Sequence, residues 1–153
     1  MKKYTYEEAL HRAAALCSMA EKSDADIRRK LSDWGVNDVE SAHILSHLRK
    51  EKFLDETRFA TAFVRDKFRF SQWGRVKIAY ALRQKEVSEA IVADALCLID
   101  DDEYAEVLLE LLRNKKKSLK SGSDYEKSAK LVRFAQSRGF ESDIIFKTIK
   151  KLL

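Results

Sequence analysis

Apolar residues recur at three- and four-residue intervals along nearly the whole chain, the spacing that gathers them on one face of an α-helix. Ala9, Ala13 and Leu16 mark a first helix, opened by Thr5 with Glu8 three positions on. That pair makes a capping box, in which each side chain satisfies a free backbone donor of the helix start. Ile27 and Leu31 mark a second helix, which Gly35 can end by adopting the left-handed conformation. Asn37 caps a third, carrying Ile44, Leu45 and Leu48. The order then returns. Asp55 starts a helix with Phe59, Ala60, Phe63, Val64 and Phe68, and Trp73-Gly74 breaks it. Ile78, Ala81 and Leu82 form the next, and Ser88 caps one with Val92, Ala95, Leu96 and Ile99. A last trio runs from Tyr104 to Leu112, from Ser123 through Leu131 to Ala135, and from Ile144 to Leu153, with Ser123 and Glu126 as a further capping box.

Laid over one another, the trios give a repeat of about fifty residues. Ile27, Ile78 and Leu131 coincide, as do Leu31, Leu82 and Ala135. Val36, Val87 and Phe140 fall at the turn, followed by the polar starters Asn37, Ser88 and Glu141, and Leu45, Leu96 and Ile149 close the third helices. The repeats are 1–53, 54–100 and 101–153, the last containing a longer internal linker at 114–123. A three-helix unit of this size buries only part of its apolar surface alone. The pattern therefore predicts an all-α fold of tandem three-helix repeats stacked into an elongated, curved array with a shared core. A single compact bundle is the competing architecture.

Composition agrees. Proline is absent and glycine occurs four times, too little turn chemistry for strands and hairpins, while a 45% hydrophobic chain can bury a core. Cys17 and Cys97 lie far apart inside apolar helical patterns, as small buried hydrophobes of a reduced compartment. No apolar run approaches the ~20 residues of a membrane span. The basic N-terminus leads into Glu7-Glu8 rather than an apolar core, so a secretory signal is not expected. A monomeric, cytoplasmic protein follows.

Catalytic chemistry is hard to place. His43 and His47 stand four apart, a zinc-compatible spacing, but Ile44 occupies the place of the glutamate in His-Glu-x-x-His and no third ligand is evident. Asp100-Asp101-Asp102-Glu103 is a dense acidic run at a helix start, where the macrodipole favours negative charge; a magnesium site needs carboxylates from separate elements. A glycine-rich phosphate loop, a serine elbow and a paired cysteine motif are all missing. No catalytic residue, metal or cofactor is expected.

Net charge is +5, which by itself decides little. Its distribution says more. Between Arg65 and Lys85 seven cations (Arg65, Lys67, Arg69, Arg75, Lys77, Arg83, Lys85) face one carboxylate, Asp66, with Phe70 and Trp73 among them. Phosphates need neutralising charge, and aromatic faces can stack on bases. Trp73, beside a glycine at a helix junction, suits core or surface equally. As exposed cations, Arg75 and Lys77 are expected to matter for binding and little for folding. Lys115, Lys116 and Lys117, with Lys120, form a second basic run at a helix end, where favourable dipole contact competes with a binding role. Ile27 to Leu48 could pass for a DNA-reading helix-turn-helix, but its second helix opens with Asp38 and Glu40 at the end that would enter the groove.

The run Phe53-Leu54-Asp55-Glu56-Thr57-Arg58-Phe59-Ala60, followed by Phe63-Val64-Arg65, resembles the RecX family of regulatory proteins. Trp73-Gly74-Arg75-Val76-Lys77-Ile78 and Leu82-Arg83-Gln84-Lys85 resemble that family's central repeat, and Ile27-Arg28-Arg29-Lys30-Leu31 with Gly35 its first. Glu86 stands where the family commonly has glycine, and the third repeat is divergent. The resemblance implies a non-enzymatic modulator that lodges along the groove of the RecA filament on single-stranded DNA, curbing strand exchange, ATP hydrolysis and co-protease activity. An independent nucleic-acid-binding helical protein is the alternative.

Overall fold

The computed structural model describes residues 4–153, which form helices joined by turns, with no strand among them. In order they are α1 (Tyr6–Met19), α2 (Asp24–Asp33), α3 (Asp38–Lys50), α4 (Glu56–Arg69), α5 (Arg75–Gln84), α6 (Glu89–Leu96), α7 (Asp101–Ser118), α8 (Asp124–Ser137) and α9 (Ser142–Leu152). Three trios of helices follow one another, the tandem three-helix plan read from the periodicity.

Local chemistry explains most boundaries. Thr5 and Glu8 close the expected capping box, and Asn37 and Asp55 accept the backbone N–H three residues on. Ser23 and Asp26 form a second full box at the start of α2 that the apolar pattern did not reveal. At α8 the box is only half made: the Ser123 hydroxyl accepts the Glu126 N–H but donates to the Glu126 carboxylate, which leaves the serine's own N–H unserved. The expected linker at 114–123 is shorter, because α7 continues to Ser118. Lys115, Lys116 and Lys117 occupy its last turn, where the helix dipole favours cations, and the Lys116 ammonium donates to the Leu152 carbonyl at 2.7 Å. Cys97 follows the end of α6 and is exposed, so it is not the buried hydrophobe its surroundings suggested; Cys17 is half-buried.

The repeat is visible in the backbone itself. Gly35, Glu86 and Gly139 all have positive φ, at 79°, 63° and 90°, at the same place in their trios. In each, the next residue donates back to the same helical position: Val36 to the Leu31 carbonyl, Val87 to Leu82, Phe140 to Ala135. This is the Schellman stop, and the three donors are all buried, as the motif's apolar contact requires. Glu86 thus takes a left-handed conformation without being glycine, and repetition of the motif imposes it there.

Two compact units divide the described chain. One comprises the residues up to Phe63 with Leu82–Ala93; the other comprises Val64–Ala81 with Asp94–Leu153. The middle helices α4, α5 and α6 each give one part to each unit. The first unit's core gathers Ala9, Ala13, Ile27, Leu31, Ile44, Leu45 and Leu48. In the second, Phe68, Ile78, Tyr104, Leu108, Leu112, Leu131 and Ile145 are buried, and the Tyr104 ring lies 5.8 Å from Phe68 and 5.0 Å from Phe140.

Within the second unit, the start of α5 lies directly on the turn between α8 and α9. Gly74 N–H donates to the Arg138 carbonyl at 2.7 Å, and Val76 N–H to the Gly139 carbonyl at 2.9 Å. A Cβ at Gly74 would stand 2.4 Å from the Gly139 oxygen, and one at Gly139 would stand 2.2 Å from the Lys77 Cβ. Trp73-Gly74 does break the helix, but the glycine also admits a second backbone at contact distance.

Gly139→Ala combines an overlap with backbone and a left-handed residue. It is expected to cost about 2–4 kcal/mol, measured as a lower denaturant midpoint with an unchanged slope. A variant with wild-type stability would show that this contact is not rigid.

Candidate nucleic-acid interface

The candidate residues divide between the two units. Arg65, Lys67, Arg69, Trp73, Arg75, Lys77, Lys115, Lys116 and Lys117 belong to the second unit, and Arg83 and Lys85 to the first. Each cation's partner decides whether it still projects charge.

Arg75 is the most constrained. Its backbone N–H donates to the Tyr104 hydroxyl at 2.9 Å, and that hydroxyl in turn donates to the Glu141 carboxylate. The guanidinium lies over the Tyr104 ring, 3.9 Å from its centroid, and reaches Asp101 at 2.6 Å and Glu141 at 3.4 Å. Tyr104 is fully buried. Burial, reinforced by the Glu141 carboxylate that takes its hydrogen bond, pushes the phenol well above its ordinary value of 10.0. Arg75 was read as an exposed cation with little part in folding. Instead its side chain is only 25% exposed and helps hold the start of α5.

Other cations are neutralised as well. Lys85 meets Asp26 at 2.6 Å. Burial alone would raise the Asp26 carboxyl, but the hydrogen bonds from Lys85 and from Ser23 N–H bring it below its ordinary value. Arg83 meets Glu89 at 2.7 Å on the surface. Arg69 lies 4.0 Å from Glu103, and Arg65 3.9 Å from its neighbour Asp66, both loose and exposed.

A second group is held by aromatic rings. Lys67 and Lys77 place their ammoniums 4.7 and 4.6 Å from the centroid of Trp73. Lys77 also donates to the Ser137 carbonyl at 3.4 Å. Lys115 lies 5.1 Å from the centre of Phe134, and Arg138 lies 5.2 Å from the same ring. Arg138 donates to the Ser71 carbonyl at 3.2 Å, joining this second ring to the turn that carries Trp73. Phe134 and Arg138 were not singled out by sequence. Their i, i+4 spacing was the available signal.

The acidic run at 100–103 behaves as a helix start: Asp100 accepts the Glu103 N–H at 2.9 Å. His43 and His47 are both exposed on α3. Among the described residues, no three His, Cys, Asp or Glu side chains converge as metal ligands, and no helix is long and apolar enough to cross a membrane.

Comparison with known proteins bears on this surface. Residues 55–96 match the family model described as the second three-helix domain of RecX, and residues 101–149 match the third. A protein of Prosthecochloris aestuarii named regulatory protein RecX is 34% identical over 146 residues, covering 95% of this chain and 94% of that one. Another of that name from Clostridium botulinum (strain Eklund 17B) is 34% identical over 134 residues, covering 86% of this chain. The match spans only 62% of the clostridial protein's length. A crystal structure of RecX from Lactobacillus salivarius superposes with a TM-score of 0.86 at 22% identity, over 96% of both chains. A further solved structure, of a regulatory protein RecX, gives 0.87 at 23% identity, over 95% of this chain and 71% of the other. Both show the same fold.

Tyr104→Phe leaves the Arg75 N–H without its acceptor and removes a donor from Glu141, and is expected to cost about 2–4 kcal/mol at neutral pH. The native hydroxyl holds its proton more tightly than the unfolded chain does. Its contribution is therefore complete below pH 10 and declines above it, by at most about 1.4 kcal/mol per pH unit. Denaturant titrations of both proteins from pH 7 to about 11 should show the stability gap narrowing above 10. A gap that stays constant or widens would contradict the buried hydroxyl.

Proposed function

Because the chain belongs to the RecX family of regulatory proteins, we propose that it binds RecA filaments on single-stranded DNA and restrains their activity. The family is one of regulators, not enzymes. The observation that carries the reading is the family match across the second and third repeats, 55–96 and 101–149. On this proposal the protein acts as a monomer of three repeats, 1–53, 54–100 and 101–153. It needs no cofactor, and it lowers strand exchange, ATP hydrolysis and co-protease activity during homologous recombination and the SOS response.

The charge distribution supports a filament that contains a nucleic-acid strand. Lys67 and Lys77 stand over a tryptophan, and Lys117 is exposed. Phosphates attract such groups without regard to base sequence. Several repeats in one chain can also engage protein and strand together, so that one bound copy affects more than one recombinase subunit.

Added to RecA already assembled on single-stranded DNA, the protein should lower ATP turnover and strand exchange at less than one copy per recombinase subunit. Excess free strand should not relieve the effect. The variant Arg65→Glu with Lys77→Glu should lose inhibition in step with filament binding, while its melting temperature stays near that of the wild type. Full recovery on adding free strand, or inhibition only when DNA is saturated, would replace this reading with simple competition by an independent nucleic-acid-binding protein.

A further inference from the structure

The cations of the second unit fall into two electrostatic classes. Arg75 and Arg113 are held by carboxylates, at 2.6 Å from Asp101 and 2.8 Å from Glu110 respectively, so their fields are largely cancelled at a distance. Lys77, Lys115 and Arg138 are held instead by ring faces and backbone carbonyls. None of these three has an ion pair among the described residues. A ring quadrupole or a carbonyl dipole orients a cation without removing its net charge. Cations already fixed in place lose less side-chain freedom when they bind an anion.

The two ring sites are joined. Trp73 sits in the turn before α5, where Ser71 accepts from Arg138 and Lys77 donates to Ser137. Gly74 and Gly139 hold the same two segments in backbone contact. Lys67, Trp73, Lys77, Arg138, Phe134 and Lys115 are therefore linked contact by contact through a single junction.

We infer that these residues form one continuous phosphate-binding surface for a single nucleic-acid strand, with Arg138 and Lys115 of the third repeat contributing beside Lys67 and Lys77 of the second. The inference rests on the nucleic-acid half of the function proposed above. Trp73 and Phe134 act in it as positioning residues: their faces carry cations, and the cations meet phosphate. Arg75 has no part in it, although it lies in the basic stretch from Arg65 to Lys85. A nucleic-acid strand fits better than an acidic protein segment because the filament of the proposed function already contains one, and phosphates bind cations that keep their net charge whatever the base sequence.

The test is binding of the whole protein to a labelled oligothymidylate over a salt series, read by fluorescence anisotropy. Lys115→Gln and Arg138→Gln should each weaken binding roughly 3- to 10-fold at moderate salt and make the log–log salt slope shallower by about 0.7, the loss of one phosphate contact on a single strand. Arg113→Gln removes equal charge from the same helix, but from an ion pair, and should leave the slope unchanged. Phe134→Leu should lower affinity and Phe134→Tyr, which keeps a ring face, should restore it. A merely structural phenylalanine would not give that rescue at equal melting temperatures. If Lys115→Gln and Arg138→Gln bind as the wild type does while Lys67→Gln and Lys77→Gln weaken, the surface ends at Trp73 and the inference fails, with filament regulation untouched. An equal loss in Arg113→Gln would reduce the effect to net charge and also overturn it. So would binding to polyglutamate with the same residue dependence but not to oligothymidylate. If instead the Lys115 and Arg138 effects appear in a protein that never inhibits a recombinase filament, the surface stands and the regulatory reading falls.

Discussion

The first backbone donors of α5 have no acceptor close in sequence, since a helix start leaves such groups free and no capping side chain is seen at Trp73-Gly74. The second unit satisfies them from elsewhere: the Arg138 carbonyl takes Gly74, the buried Tyr104 hydroxyl takes Arg75, and the Gly139 carbonyl takes Val76. Gly74 is buried and Arg75 half-buried, and a buried donor without a partner costs about 1–3 kcal/mol, so α7 and the α8–α9 turn hold the start of α5 in place. The tyrosine then recruits Glu141, and Glu141 with Asp101 holds the Arg75 guanidinium. Helix start, aromatic core and charge pairing are one cooperative arrangement, and the two glycines at its centre leave room for nothing larger.

That arrangement also sorts the basic residues. A guanidinium drawn into the Tyr104–Glu141–Asp101 cluster contributes to folding and projects little field, whereas Lys77 on Trp73 and Lys115 on Phe134 keep theirs. Charge density along the chain and charge available at the surface are therefore different quantities. The basic stretch from Arg65 to Lys85 contains Arg75, Arg83 and Lys85, all three paired with carboxylates. The third repeat contributes Arg138, which is not. For a ligand that binds through phosphates, the second quantity is the relevant one.

What could be read along the chain were features whose cause lies within a few residues. The apolar spacing located the helices. Thr5, Asn37 and Asp55 marked their starts, and the alignment of Val36, Val87 and Phe140 placed the same turn in all three trios. Glu86 shows how strongly the repeat acts: a glutamate adopts the conformation that glycine supplies in the other two copies. The errors had local causes too. Lysines in the last turn of α7 kept it helical through 114–118, which had been read as linker, and Cys97 fell just beyond the end of α6 instead of within it.

Helix positions, the three-helix period, the family and the basic stretch from 65 to 85 were thus determined by sequence alone, because capping, helical periodicity and charge composition are local along the chain. Which cations are cancelled and which remain was decided only by tertiary structure. Asp101, Tyr104 and Glu141 are 26, 29 and 66 residues from Arg75, and Ser71 is 67 from Arg138. Electrostatic pairing depends on distance in space, and the fold sets that distance by bringing the turn before α5 onto the turn between α8 and α9.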